Sequence, residues 1–139
     1  KRRITMFLSD LNANEQELFL ELAYYVMGLN QEHKNAEIDV FDSYTHECHK
    51  PGYEPSRQSQ IDFVIKELSK TKLSNKRIIM IELFGIMLSD DEFCANEANF
   101  VDKLTEKFEM KAYMVKRIKR WVEGFNDMVQ EGYELISRK

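Results

Sequence analysis

Residues 76–88 read KRIIMIELFGIML, an apolar run in which Glu82 is the only charged residue after Arg77. A helix of this composition has no polar face, and such a helix is usually buried on all sides. The chain contains only five Gly and two Pro in 139 residues, which favours long helices over many short strands. We therefore predict an all-α fold with residues 76–88 as its central helix.

Capping and breaking residues predict the limits of the other helices. Asn14 and Glu17 have the spacing of a capping box, so the first helix should begin near Asn14. Pro51 should end the second helix, because the residue before proline is pushed out of α geometry. Ser74 is the expected cap of the central helix, and the last helix should span residues 111–137. The expected apolar faces of the flanking helices are, in chain order, Leu18, Leu22, Val26 and Leu29; Ile38, Phe41 and Tyr44, with Cys48 as a further candidate; Ile61, Val64, Ile65 and Leu68; Ala98, Val101 and Leu104; and Ile118, Trp121, Val122, Phe125, Met128, Val129, Tyr133 and Ile136.

A shift of 60 residues superposes one helical hairpin of the sequence on another. Leu20 then falls on Met80 and Val26 on Ile86, and the polar breaks within the two hairpins have the same length. Internal similarity of this kind indicates a repeated supersecondary unit. We therefore predict two hairpins that pack about a pseudo-two-fold axis and bury their apolar faces against each other.

The clearest loop in the sequence is residues 50–56, KPGYEPS, which holds both prolines. We predict that this loop is the seam between two halves, roughly 7–50 and 57–137. Both halves belong to a single domain that covers residues 1–139, a helical bundle of about six or seven helices.

Charge and hydropathy exclude two classes of partner. The formal net charge is −4, whereas a nucleic-acid-binding protein usually carries a basic face. The one basic cluster, between Lys111 and Arg120, alternates with apolar residues at helical spacing and is interpreted as the solvated face of the last helix. The longest apolar run, residues 78–88, is too short to span a bilayer. We therefore expect neither a nucleic-acid nor a membrane partner.

The two cysteines, Cys48 and Cys94, form neither a disulfide framework nor a CxxC metal motif. Reduced thiols are typical of cytosolic proteins. The basic residues 1–3 are followed by only a short apolar stretch, so we recognise no signal peptide. The sequence therefore predicts a soluble, cytoplasmic protein.

The second hairpin, IELFGIMLSDDEFCANEANFVDKL at residues 81–104, resembles the signature of the TerB-like domains, a family named for a tellurite-resistance protein. In that signature an apolar helix is followed by an Asp, usually a Gly, four to six mixed residues and a Glu that opens the next helix. Asp90 and Glu97 match the Asp and the Glu, while Asp91 stands where Gly is usual.

The first hairpin carries a degraded form of the same signature in residues 17–44, ELFLELAYYVMGLNQEHKNAEIDVFDSY. Here Asn30 replaces the Asp, Gln31 replaces the Gly, and Glu37 keeps the Glu. The resemblance covers residues 7 to about 107. It implies an all-helical bundle, acidic loop residues that hold a metal ion, and no established reaction.

The strongest candidate site is the acidic bend formed by Asp90, Asp91 and Glu97. Grouped carboxylate oxygens suit hard cations such as Ca²⁺ or Mg²⁺, and Asn30 with Glu37 would make a weaker mirror site. In the alternative interpretation, Asp90 or Asp91 caps the following helix and Glu97 lies in its favourable first turns.

Other polar residues carry weaker hypotheses. His33, His46 and His49 lack the further ligands that zinc or a di-iron bundle needs, so they are interpreted as solvated side chains. Glu21 and Glu82 lie in apolar helices, where a carboxylate is costly unless it is paired. Each is therefore a salt-bridge partner, a residue on a face that partly reaches solvent, or a functional carboxylate with a raised pKa.

No motif for nucleophilic, phosphate-binding or zinc-peptidase chemistry occurs, since GxSxG, a Gly-rich phosphate loop and HExxH are all absent. We therefore predict no enzymatic activity. The preferred function is an interaction or stress-sensing module that docks protein partners through a groove between the hairpins. Divalent-cation binding at residues 90–97 is the alternative.

Overall fold

The computed structural model describes residues 7–29, 35–89 and 93–137, with residues 35–37 described by their backbone alone. Within these ranges the chain forms six α-helices, two short 3-10 helices and no strand, which confirms the all-α prediction. The helices are α1 (Ala13–Met27), α2 (Asn35–Glu47), α3 (Ile61–Leu68), α4 (Leu73–Met87), α5 (Ala95–Lys107) and α6 (Ala112–Ser137), and the 3-10 helices are Leu8–Asp10 and Gln58–Gln60.

None of the described helices combines the length and the apolar content that crossing a membrane requires.

The central element is α4, as its composition predicts. It contacts α1, α2, α6 and the 3-10 helix Leu8–Asp10. Because neighbours lie on several sides of α4, its apolar residues are removed from water around most of the helix. Those with no exposed surface are Ile79, Met80, Leu83, Phe84, Ile86 and Met87.

The structure repeats at the offset of 60 residues that the sequence indicates. The limits of α1 and α4 differ by 60, and so do those of α2 and α5. The repeat includes the backbone that closes each hairpin, where His49 and Glu109 both have positive φ, 59° and 55°. Each donates its N–H to the carbonyl three residues earlier, and the next residue donates to the carbonyl five residues earlier. This is the Schellman motif, formed twice without glycine.

A third helix belongs to each repeated unit. α3 packs on α1, and α6 packs on α4. In the sequence α3 follows the loop 50–56, and the seam predicted at that loop stays a prediction. The buried apolar residues of these two helices are Ile61, Val64, Ile65 and Leu68 in α3, as predicted, and Val115, Ile118 and Val122 in α6.

Two predicted helix caps are wrong. The capping box of α1 uses Asn12 instead of Asn14: Asn12 Oδ1 accepts from Glu15 N at 2.8 Å, and Glu15 Oε1 accepts from Asn12 N at 2.9 Å. The Glu15 carboxylate also accepts hydrogen bonds from the side chains of Thr71 and Asn75 in the second unit. The contacts with Thr71 and Asn75 thus favour the capping box of Asn12 and Glu15 over the overlapping box predicted for Asn14 and Glu17. The predicted cap of α4, Ser74, lies inside the first turn of that helix.

The predicted apolar face of α2 is confirmed at Tyr44 and Cys48, but the helix is rotated so that Val40 faces the bundle in place of Ile38. Ile38 is 43% exposed, whereas Val40, Tyr44 and Cys48, spaced four residues apart, are buried. The Tyr44 hydroxyl donates to the backbone carbonyl of Glu82. This bond holds the observed face of α2 against the central helix.

A substitution in α4 tests its central position. We expect Leu83→Ala to lower the free energy of unfolding by about 2–5 kcal/mol, because it removes buried methyl groups and leaves a cavity. The control Phe63→Ala, at a 53% exposed side chain of α3, should change it by less than about 0.5 kcal/mol. Urea denaturation followed by circular dichroism measures both, and equal losses would contradict the placement of α4 in the core.

Candidate functional site

The predicted acidic site lies largely outside the described residues. Asp90, Asp91 and Asn30 fall outside them, and of Glu37 only the backbone, in α2, is described. Within the described ranges, no group of three or more His, Cys, Asp or Glu residues is placed to hold a metal ion. Cation binding at this bend stays a prediction.

Glu97 is described, and its side chain acts as a helix cap. It is 1% exposed, and its Oε1 accepts from the backbone N of Cys94 at 3.0 Å, as part of a capping box at the start of α5. A carboxylate at this position also interacts favourably with the helix dipole. The structure therefore matches the alternative interpretation of Glu97, in which the residue stabilises the start of its helix.

Glu21 is a buried carboxylate that anchors the loop between α2 and α3. Its Oε2 accepts from the Tyr53 hydroxyl and from Ser56 N at 2.9 Å. Its Oε1 accepts from Arg57 N and Gln58 Nε2, both at 2.9 Å. Burial raises the pKa of Glu21, but the hydrogen bonds from these four residues together outweigh it and hold the pKa below its ordinary value. Glu21 is thus a charged structural anchor, with a pKa shifted in the direction opposite to that of a buried acid catalyst.

Two further carboxylates hold the first described segment against the bundle. Glu82, with no exposed surface, accepts from Phe7 N at 3.2 Å, and Glu47 accepts from Leu8 N at 3.1 Å. The first N–H groups of a helix have no partner within it. Glu82 and Glu47 supply partners for the 3-10 helix Leu8–Asp10.

The histidines and cysteines form no reactive arrangement in the described residues. His46 and His49 are exposed, as predicted, while His33 lies outside the described ranges. Burial, with a smaller contribution from the Glu47 carboxylate, raises the pKa of the Cys48 thiol to about 12. Because the thiolate is the nucleophilic form, Cys48 is inert at neutral pH.

The exposed apolar surface is concentrated on α6 between Trp121 and Ile136. Of the nine large apolar side chains exposed in the described residues, five lie there: Trp121 (46%), Met128 (72%), Tyr133 (39%), Leu135 (65%) and Ile136 (81%). Monomeric proteins rarely expose contiguous apolar patches larger than a few hundred Å². The concentration on one helix marks a candidate interaction surface.

The sequence predicts the apolar side of α6 but not how much of it the bundle covers. Of the predicted stripe, Ile118 and Val122 are buried, whereas residues 123–137, all described, contain no buried residue. Trp121 lies at the boundary, where its ring is 6.4 Å from that of Phe7 and stacks at 5.6 Å on Phe125. We call the continuation of this face the distal stripe; its members are the exposed Trp121, Met128, Leu135 and Ile136 and the half-buried Phe125 and Val129.

Comparison with known proteins found no matching family model, no matching curated protein and no matching solved structure. The likeness to TerB-like domains therefore rests on the sequence signature alone and stays a prediction.

The loop anchor at Glu21 predicts a pH-dependent stability. We expect Glu21→Gln to lower the free energy of unfolding at pH 7 by about 2–3 kcal/mol, because it removes the buried charge to which four residues donate hydrogen bonds. The folded pKa is depressed, so the stabilisation is complete above the ordinary pKa of 4.5 and is lost as pH falls through the folded value. The difference between wild type and variant should therefore shrink below about pH 4.5.

The matched control for this experiment is Glu17→Gln, one turn earlier in α1. The Glu17 carboxylate forms partly exposed ion pairs with Arg57 at 3.0 Å and Lys50 at 3.7 Å, so its loss should cost less than about 1 kcal/mol. Urea denaturation between pH 3 and pH 7 measures both variants. A Glu21→Gln difference that stays constant with pH would contradict the anchor role.

The cap at Glu97 gives a test that separates capping from metal binding. We expect Glu97→Gln to lower the free energy of unfolding by about 1 kcal/mol, equally in EDTA and in millimolar Ca²⁺ or Mg²⁺. Thermal unfolding in the three buffers measures this. A loss that grows when Ca²⁺ or Mg²⁺ is present would show that the carboxylate also binds the cation.

Proposed function

We propose that this protein is a non-enzymatic interaction module of TerB-like type, which binds its protein partner through the distal stripe of α6. One observation carries this proposal: the apolar face of α6 continues for four turns past the last residue that the bundle buries. The described polar residues with buried side chains have structural roles, so they do not offer a reaction centre to compete with this surface.

The energetics of helices support a partner at this surface. Isolated helical segments shorter than about 12–15 residues are marginal in water, and most helical stability in proteins comes from packing of an amphipathic face. Residues 123–137 form a segment of about this length without buried residues. A partner that covers the distal stripe would supply the missing packing.

The position of the surface refines the sequence-based hypothesis of a groove between the hairpins. Near the bend of the first hairpin the two hairpins touch, since Asn96 donates to the Leu29 carbonyl at 2.9 Å and the rings of Tyr25 and Phe100 lie 5.2 Å apart. We therefore assign docking to α6. The cytoplasmic location, the stress-sensing role and cation binding at residues 90–97 stay predictions.

Site-specific photo-cross-linking tests the proposal. A benzoylphenylalanine at position 128 should form adducts with a protein partner in cell extract, because Met128 points away from the bundle and is 72% exposed. The same group at Phe63, exposed on α3 and distant in sequence from α6, should form none. Absence of adducts from position 128, or equal adducts from both positions, would contradict the proposal.

A further inference from the structure

We infer that the partner covering the distal stripe is a second copy of this chain, whose own distal stripe packs against the first in antiparallel orientation. This inference rests on the proposed function, because it names the occupant of the same surface. It is carried by the spacing, the side-chain sizes and the charges along α6.

The apolar positions of α6 recur at intervals of seven residues. A strict seven-residue repeat is the pattern of two helices that wind around each other, with apolar side chains of one helix inserted between those of its neighbour. The occupant should therefore be a helix with a matching repeat. The three series are Ile118, Phe125 and Gly132; Trp121, Met128 and Leu135; and Val122, Val129 and Ile136.

Side-chain sizes match when the stripe is paired with itself in antiparallel register. If Phe125 lies opposite Met128 of the second copy, two-fold symmetry places Trp121 opposite Gly132. The largest side chain of the stripe then faces the position without a side chain. A Cβ added at Gly132 would meet no atom within 4 Å in a single copy, so the bundle itself does not require glycine there, and glycine is unfavourable within a helix.

The stripe carries no charge. Its members are all apolar, and charges of α6 lie on its other sides: Lys119 pairs with Glu123 of the same chain at 3.0 Å, and Glu123 and Asp127 lie beside Leu88 and Phe93. Two stripes therefore meet without burying a charge. A parallel pair would place Trp121 beside Trp121 of the second copy instead of beside Gly132.

The size of the contact sets the expected strength. Residues 121–137 extend for about 25 Å at 1.5 Å per residue, so a pair of distal stripes buries less surface than a standard protein interface. We therefore expect a reversible dimer with a dissociation constant in the micromolar range.

Sedimentation over a range of concentrations tests this inference. The wild-type protein should shift from the 16.5 kDa of one chain to twice that mass. Met128→Glu and Gly132→Trp should weaken association at least tenfold, the first by burying a charge and the second by placing two indoles in one space. Phe63→Glu, at an exposed aromatic residue outside the stripe, should associate like wild type.

A paired exchange tests the register. In the double variant Trp121→Gly and Gly132→Trp, each tryptophan again faces a glycine of the second copy. The double variant should therefore associate more tightly than Gly132→Trp alone. Urea denaturation of each variant reports folding separately. Gly132 lies in residues 123–137, which contain no buried residue, whereas Trp121 contacts Phe7 and Phe125, so stability has to be compared for each variant. A wild type that stays at 16.5 kDa, or a Gly132→Trp variant that dimerises like wild type, would overturn the inference.

The cross-linking at position 128 separates failure of this inference from failure of the proposed function. Adducts of twice the chain mass support both. Adducts with a different protein, together with a monomeric wild type, overturn self-association and leave the interaction module in place. Absence of adducts, together with a monomeric wild type, overturns both.

Discussion

Burial of the apolar surface of α4 is the constraint on which the other helices depend. Between Ile79 and Leu88 this helix is apolar on nearly every side, and removal of apolar surface from water is the dominant favourable term in folding. One neighbour covers only one side of a helix, so several have to converge on α4. The internal repeat supplies one of them, because α1, the counterpart of α4 sixty residues earlier, packs directly against it.

The buried carboxylates explain how an apolar bundle holds its irregular segments in place. Glu21 collects donors from the loop before α3, Glu82 accepts from Phe7 N, and Glu97 accepts from Cys94 N. Backbone N–H groups outside regular structure need partners when they are buried, and a charged acceptor makes a stronger hydrogen bond than a neutral one. These three carboxylates of the described residues therefore serve the architecture of the bundle, which is consistent with an interaction module.

α6 differs from the other helices because it is much longer than the part of it that the bundle buries. α3, its counterpart in the first unit, has 8 residues and is buried up to its last residue, Leu68, whereas α6 has 26 residues and buries only Val115, Ile118 and Val122. The apolar spacing nevertheless continues to Ile136. A pattern that outlasts the intramolecular contact supports the proposed contact with another molecule, and the seven-residue spacing supports the proposal that a helix makes this contact.

The sequence by itself determined the helical class, the central position of α4, the apolar face of α3 and the 60-residue repeat, because each follows from periodicity within one segment. Only the tertiary structure decided between the overlapping capping boxes at Asn12 and Asn14, since Thr71 and Asn75 lie far away in the chain. It also decided the rotation of α2 and the point on α6 where burial ends. Periodicity reports which side of a helix is apolar, whereas the distance to the neighbouring helices determines how far along that side water is excluded.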